Sequence, residues 1–175
     1  MSTSKKRKLD HESPQPPHQN SLPPLPPILS PALESAAFTH ASLCNPNTPS
    51  YERLEFLGDA YIELIATRLI YPAFPTLTPG RMSQKRELLV KNETLAEYAL
   101  AYGFDKRARL PRDFFGLGSG RGKLWTKTMG DLFEAYVAAV VLSDPKGGFE
   151  TVEAWLTELW REKLFGKEEM DREVV

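Results

Sequence analysis

One cysteine, Cys44, stands in 175 residues, so no intrachain disulfide and no cysteine-rich zinc site can form. Its isolation fits a reducing compartment and the role of a small apolar residue. No run approaches the roughly 18 apolar residues of a membrane-crossing helix, and the N-terminus lacks the apolar core of a secretory signal. A soluble intracellular protein with no membrane partner is therefore expected. No segment of any length alternates apolar and polar residues with period two, which leaves no pattern for a half-buried strand. A basic surplus is missing as well. The formal net charge is −1, and Lys5, Lys6, Arg7 and Lys8 set against Asp10 and Glu12 leave the sequence after residue 32 at −3. Nucleic-acid binders usually carry the opposite sign.

What is present is enough apolar material for a core: 41% hydrophobic residues, three Trp and nine Phe. Residues 1–32 hold eight of the fifteen prolines and read as a disordered or polyproline-like tail. The run Lys5-Lys6-Arg7-Lys8 in that tail reads either as a nuclear-import signal or as a solubilising stretch. Mitochondrial presequences are Arg-rich and acid-poor, unlike a segment carrying Asp10, Glu12 and proline clusters.

From residue 33 to 165 the pattern is helical, and an all-α domain is expected, followed by a short tail over 166–175. Apolar periodicity and punctuation predict helices over 32–42, 51–71, 79–91, 92–102, 124–142 and 149–164, with a loop over 111–123. Ser50 is placed to cap the second helix, Pro72 and Pro75 to end it, and Leu54, Leu57, Tyr61, Leu64, Ile65 and Leu69 to form its buried side. Gly103 closes the helix that starts at Asn92.

The chemistry lies in two acidic helices. Tyr51-Glu52-Arg53-Leu54-Glu55-Phe56-Leu57-Gly58-Asp59-Ala60 places Glu52, Glu55 and Asp59 at i, i+3 and i+7, on one face. About seventy residues on, Gly130-Asp131-Leu132-Phe133-Glu134-Ala135-Tyr136 carries a second acidic pair at i, i+3. Like charges at that spacing repel and destabilise a helix, so a stripe embedded in apolar sequence points to a neutralising cation. Carboxylates without His or Cys are hard oxygen donors suited to Mg²⁺ or Mn²⁺, and such ions activate water and stabilise charge during phosphodiester hydrolysis. Taken singly, each motif also reads as first-turn acids and solvated faces. Together they are specific, and Gly58 and Gly130 thin the helix surface beside Asp59 and Asp131. Glu63 reads as solvated or at a subunit contact.

The stretch 51–60 resembles the signature helix of the ribonuclease III family, and Gly130–Tyr136 resembles that family's second acidic helix. Phe38-Thr39-His40-Ala41-Ser42 and Met82-Ser83-Gln84-Lys85-Arg86-Glu87-Leu88-Leu89-Val90 are similar to two further family segments. The resemblance covers about residues 33–165. It implies that Glu52, Glu55, Asp59, Asp131 and Glu134 form the metal site, with Glu55, Asp59, Asp131 and Glu134 catalytic and nearest Mg²⁺, for which Mn²⁺ substitutes. It also implies a homodimer whose valley holds double-stranded RNA, cut with short 3′ overhangs. A narrower likeness to fungal nuclear members implies precursor hairpins of ribosomal or small nuclear RNA and a nuclear location, with a mitochondrial or cytoplasmic one as the alternative. Phe56, Leu57 and Tyr61 lie where the family's dimer contacts lie, and read equally as plain core. Lys127 sits where the family often has a lysine. His40 reads as a structural residue.

Gly116-Leu117-Gly118-Ser119-Gly120-Arg121-Gly122-Lys123 lacks the Ser or Thr after lysine and the preceding strand of a phosphate loop. It reads as a surface loop in which Arg121 and Lys123 touch RNA phosphate. Arg81, Lys85, Arg86 and Lys91 extend that footprint or form a solvated face. Three departures from the family pattern are visible: Ala138 for a usual glycine, a Ser143-Asp144 pair displaced by one residue, and no double-stranded-RNA-binding domain of about seventy residues before Val175. A separate RNA-binding partner is one way to supply the missing affinity. A non-catalytic structural subunit, as in a mitochondrial ribosome, is the competing reading, and a loss of acids that would favour it is not seen.

Overall fold

The computed structural model describes residues 22–44, 49–114 and 122–166. The basic run Lys5–Lys8 and Arg121 lie outside the described residues. Among the described residues the fold is all helical: α1 (Pro31–Ala37), α2 (Tyr51–Ala73), α3 (Pro79–Val90), α4 (Asn92–Ala101), α5 (Phe104–Arg107), α6 (Lys123–Ser143) and α7 (Gly148–Phe165). The only extended pairing among them is a single bridge between Thr39 and Arg109.

Helix α6 is the axis of the domain. Every residue from Thr128 to Val141 is buried, and α1, α2, α4, α5 and α7 all pack on it. A helix buried on all sides must be apolar all round, and Met129-Gly130 and Leu132-Phe133 with Ala135–Val141 supply that surface. Asp131 and Glu134 are its exceptions.

The helix α2 has the most extensive contact with α6, and Gly58 explains how. A Cβ at Gly58 would overlap the backbone carbonyl of Glu134, so the two helices meet backbone to backbone at this point. That approach centres the buried stripe of α2 on Tyr51, Leu54, Gly58, Ile62, Ile65, Ala66 and Ile70. The expected stripe is thus rotated: Leu54 and Ile65 are buried, Leu57, Tyr61 and Leu69 lie at its edge, and Leu64 is exposed. Helix α2 also continues through Pro72 to Ala73 instead of stopping at 71. Proline in a last turn forfeits one ladder bond there, while the amide of Phe74 still bonds Ile70 O at 3.1 Å. Ser50 holds the N-cap position without a side-chain cap bond.

Two elements escape sequence reading. Helix α5 is a single turn that begins after Gly103, whose φ of 73° turns the chain between α4 and α5. Residues 22–30, read by composition as part of a disordered or polyproline-like tail, run against the helices without regular secondary structure. Pro26 is buried there, Leu25 and Ile28 pack on the core, and Leu29 N donates to Ser143 Oγ at 3.0 Å.

Candidate active site

Helices α2 and α6 carry the acids, and the Gly58 crossing brings them together. One oxygen each from Glu55, Asp131 and Glu134 falls within 4.8 Å of the other two. Ligands on opposite sides of a Mg²⁺ ion stand about 4.2 Å apart, given metal–oxygen distances near 2.1 Å. The trio is therefore close to the spacing that a hard divalent ion requires, and its all-carboxylate chemistry fits one.

Burial makes this cluster electrostatically tense. Asp131 and Glu134 are 7% and 6% exposed on helix α6. Burial first, then the charges of Asp59, Asp131 and Glu55, push the Glu134 carboxyl up from 4.5 to about 8. Glu55 is raised by burial and then by Asp131. Lys127, one turn before Asp131, forks onto both of its oxygens at 2.8 and 2.7 Å. Such a pairing alone would depress Asp131, yet burial outweighs it and the net direction is upward. The ammonium of Lys127 is held above its usual range: its hydrogen bond to Asp131 and the nearby acids outweigh a larger downward pull of burial. The trio thus already shares one tethered positive charge.

Not all five expected acids meet. Asp59 is exposed and stands outside the trio, although its charge is the largest electrostatic contribution on Glu134 after burial. Glu52 lies farther off, its side chain 50% exposed and 3.8 Å from His40 Nε2. The reason is helical phase: seven residues from 52 to 59 span nearly two turns, so the end members of the stripe flank the point where Glu55 faces α6. His40 is structural as expected. Its Nδ1 accepts the Ser42 amide at 3.1 Å, capping a 3-10 turn over Ala41–Leu43, and its ring packs on Phe114 and Tyr51.

The glycines flanking the acids serve helix contact. Gly58 admits the Glu134 backbone, and a Cβ at Gly130 would press on the Asn92 side chain at the start of α4. Asn92 and Tyr51 are the neighbours that sequence reasoning missed. Tyr51 is buried at the start of α2, and burial followed by the charge of Asp131 pushes its hydroxyl to about 12. A glycine beside an acid signals that something approaches, without saying what.

The expected RNA footprint divides. Arg86 is occupied within the fold, pairing with Glu63 at 2.6 Å and with Thr67 at 3.1 Å, so it ties α3 to α2. Lys85 lies over the Phe74 ring at 4.2 Å. Arg81 is exposed beside Gln84, Lys91 is exposed, and Lys123 is exposed at the start of α6. Of the three apolar contacts, Phe56 is 81% exposed, whereas Tyr61 sits against Phe149 with centroids 6.0 Å apart and Leu57 packs on the core.

Known proteins resemble this arrangement. The "Double-strand-specific pac1 ribonuclease" of Schizosaccharomyces pombe is 35% identical over 153 residues, covering 81% of this chain and 40% of that protein. Ribonuclease 3 of Rhodopseudomonas palustris is 35% identical over 137 residues, covering 77% and 48%. The chain thus spans about half, or less, of these relatives. Among solved structures, Dicer from Pichia stipitis superposes with a TM-score of 0.65 at 31% identity, over 85% of this chain and 62% of that one. The nuclease domain of ribonuclease III from Campylobacter jejuni, where a region involved in dimer formation is flexible, gives 0.61 at 27%, over 76% and 87%. The "Ribonuclease III domain" profile matches residues 52–145, a span that begins at the first acid of α2 and runs past the last acid of α6, and by that match this chain belongs to the ribonuclease III domain family.

Proposed function

We propose that the chain is the endonuclease domain of a divalent-metal-dependent ribonuclease that hydrolyses phosphodiester bonds in double-stranded RNA as a homodimer. The observation that carries the reading is the convergence of Glu55, Asp131 and Glu134 across the α2–α6 crossing. Names of relatives support the substrate class: one is a double-strand-specific ribonuclease.

Glu55, Asp131 and Glu134 would hold Mg²⁺, or Mn²⁺ in its place, with Asp59 and then Glu52 beyond them. When bound, such an ion polarises the scissile phosphate and lowers the pKa of a water. The protein's own residues set the conditions. Burial of Glu134 keeps bulk water from screening the cluster, and Lys127 pairs Asp131 until a stronger cation replaces it. Lys127, Lys123, Lys91 and Arg81 are among the cations available to phosphate, and the low net charge makes binding depend on such local charges, so affinity falls steeply with salt. Phe56, exposed on α2 beside Leu57 and Tyr61, supplies the apolar anchor of a two-fold contact. Hairpins in ribosomal or small nuclear RNA precursors, in the nucleus, are the narrower setting we infer, with a separate RNA-binding partner supplementing affinity.

The test is cleavage of a long paired RNA at low salt with Mg²⁺, beside Glu134→Ala and beside Ca²⁺ in place of Mg²⁺. Short duplex products that vanish in both controls are expected. Duplex binding without cleavage by the unmodified chain would refute catalysis and leave a structural subunit.

A further inference from the structure

The proline run ahead of α1 is held by its backbone. Tyr102 Oη donates to Pro23 O at 2.7 Å, and Tyr136 Oη donates to Pro26 O. These carbonyls are three residues apart. Pro23, Pro24, Pro26 and Pro27 each fix φ near −65° and hold the preceding residue extended, which biases the run toward a polyproline II helix of three residues per turn. Carbonyls i and i+3 of such a helix point the same way, about 9 Å apart at a rise of about 3.1 Å per residue.

Burial along the run repeats with the same period. Leu25 and Ile28 pack on the core, Pro23 and Pro26 lie against the tyrosines, and Pro24 and Pro27 face solvent. One edge is packed, one is bonded and one is open. The bonded edge has a built receptor: Trp155 Nε1 on α7 donates to Tyr102 Oη at 3.1 Å, which leaves the Tyr102 proton for the Pro23 carbonyl. Past the second carbonyl, the Leu29 amide donates to Ser143 Oγ, which in turn donates to Val140 O at 2.9 Å. Ser143, a departure from the family pattern, thereby gains a use.

We propose that Tyr102 on α4, Tyr136 on α6 and Trp155 on α7 form a polyproline-binding groove, and that residues 22–29 are its ligand held in cis. The groove reads two backbone carbonyls one polyproline turn apart and takes a proline-rich segment of that register. Recognition by backbone carbonyls over aromatic side chains is a mode by which separate domains bind proline-rich peptides. Here ligand and receptor share a chain, so the cis segment holds the groove at an effective concentration on the order of millimolar. The groove is distinct from the acidic cluster: Tyr136 follows Glu134 by two residues and so lies about 200° around α6 from it.

The experiment uses the full chain with Pro23→Gly and Pro26→Gly to loosen the segment, and a synthetic peptide of residues 22–30 as probe, followed by tryptophan fluorescence. The peptide is expected to bind the loosened chain saturably, at least about tenfold tighter than a peptide of equal composition with its prolines out of three-residue register. The unmodified chain should bind it at least about tenfold more weakly, because the cis ligand competes. Adding Tyr136→Phe to the loosened chain should cost about tenfold, the worth of one hydrogen bond. Equal binding of both peptides, or no binding to the folded loosened chain, overturns the proposal. If that chain does not fold, amide exchange of Leu29 decides. Protection in the unmodified chain that drops in Tyr102→Phe and in Tyr136→Phe supports the groove, and exchange unaffected by either substitution overturns it.

Discussion

On the proposed reading, the charge state of Glu134 sets when the site would take a metal. Its carboxyl is raised from 4.5 to about 8 by burial and by Asp59, Asp131 and Glu55. At pH 7 the metal-free site therefore holds a proton on Glu134 in about nine molecules of ten. A divalent ion needs the carboxylate, so binding expels that proton, and apparent affinity should rise about tenfold per pH unit until pH passes about 8 and then level off. Stability follows the opposite course. The unfolded carboxyl ionises near 4.5 and the folded one near 8, so over that window the native state binds more protons and the metal-free protein loses stability as pH rises. The ceiling is about 5 kcal/mol, from three and a half units at about 1.4 kcal/mol each, and relaxation around the carboxylate reduces it. Calorimetric titration with Mn²⁺ or Mg²⁺ from pH 6 to pH 9, in two buffers of different ionisation enthalpy, reads both affinity and proton release. Flat affinity between pH 6 and pH 8 with no proton released would refute the reasoning.

Substituting Lys127→Met should move the midpoint of that pH profile upward, because Lys127 lowers the pKa of Glu55, Asp131 and Glu134 alike. The same titration measures it. Gly58→Ala should destabilise the fold by more than about 2 kcal/mol in urea denaturation, despite about 1 kcal/mol gained in helix propensity, since the new methyl overlaps the Glu134 carbonyl and comes within 3.0 Å of its Cα. Metal affinity should fall with it as Glu55 recedes from α6. Phe56→Asp should leave helical content nearly unchanged, given an 81% exposed side chain, while light scattering shows a monomer in place of the proposed dimer and the urea midpoint loses its dependence on protein concentration.

The acids of α2 and α6 were legible because carboxylates at helical spacing inside apolar sequence conflict with packing unless something resolves the conflict. The match between Glu55 and the pair on α6 could be inferred, but the position of Asp59 and Glu52 outside the trio could not. It depends on the crossing at Gly58, a tertiary contact that also rotates the buried stripe of α2 away from Leu64. Arg86 shows the same limit: its neighbour Glu63 lies 23 residues back in sequence, and no local pattern announces the pair. Residues 22–30 read as disordered or polyproline-like, and their packing on the helices was missed for a different reason. Proline-rich composition reports the lack of regular hydrogen bonding within a segment, and says nothing about tyrosines on distant helices that bond its carbonyls.

The forked pairing of Lys127 on Asp131 also bears on what the acidic cleft does without an ion. An acidic cleft stripped of its ion would ordinarily be a spring under compression, ready to push α2 and α6 apart. Here a placeholder is tethered one helical turn away, so the metal-free cleft is a plugged socket. A divalent ion held by Glu55, Asp131 and Glu134 would have to displace that ammonium from Asp131. That pairing would let the fold persist without a metal, and an ammonium freed from Asp131 would be available to a phosphate at the site.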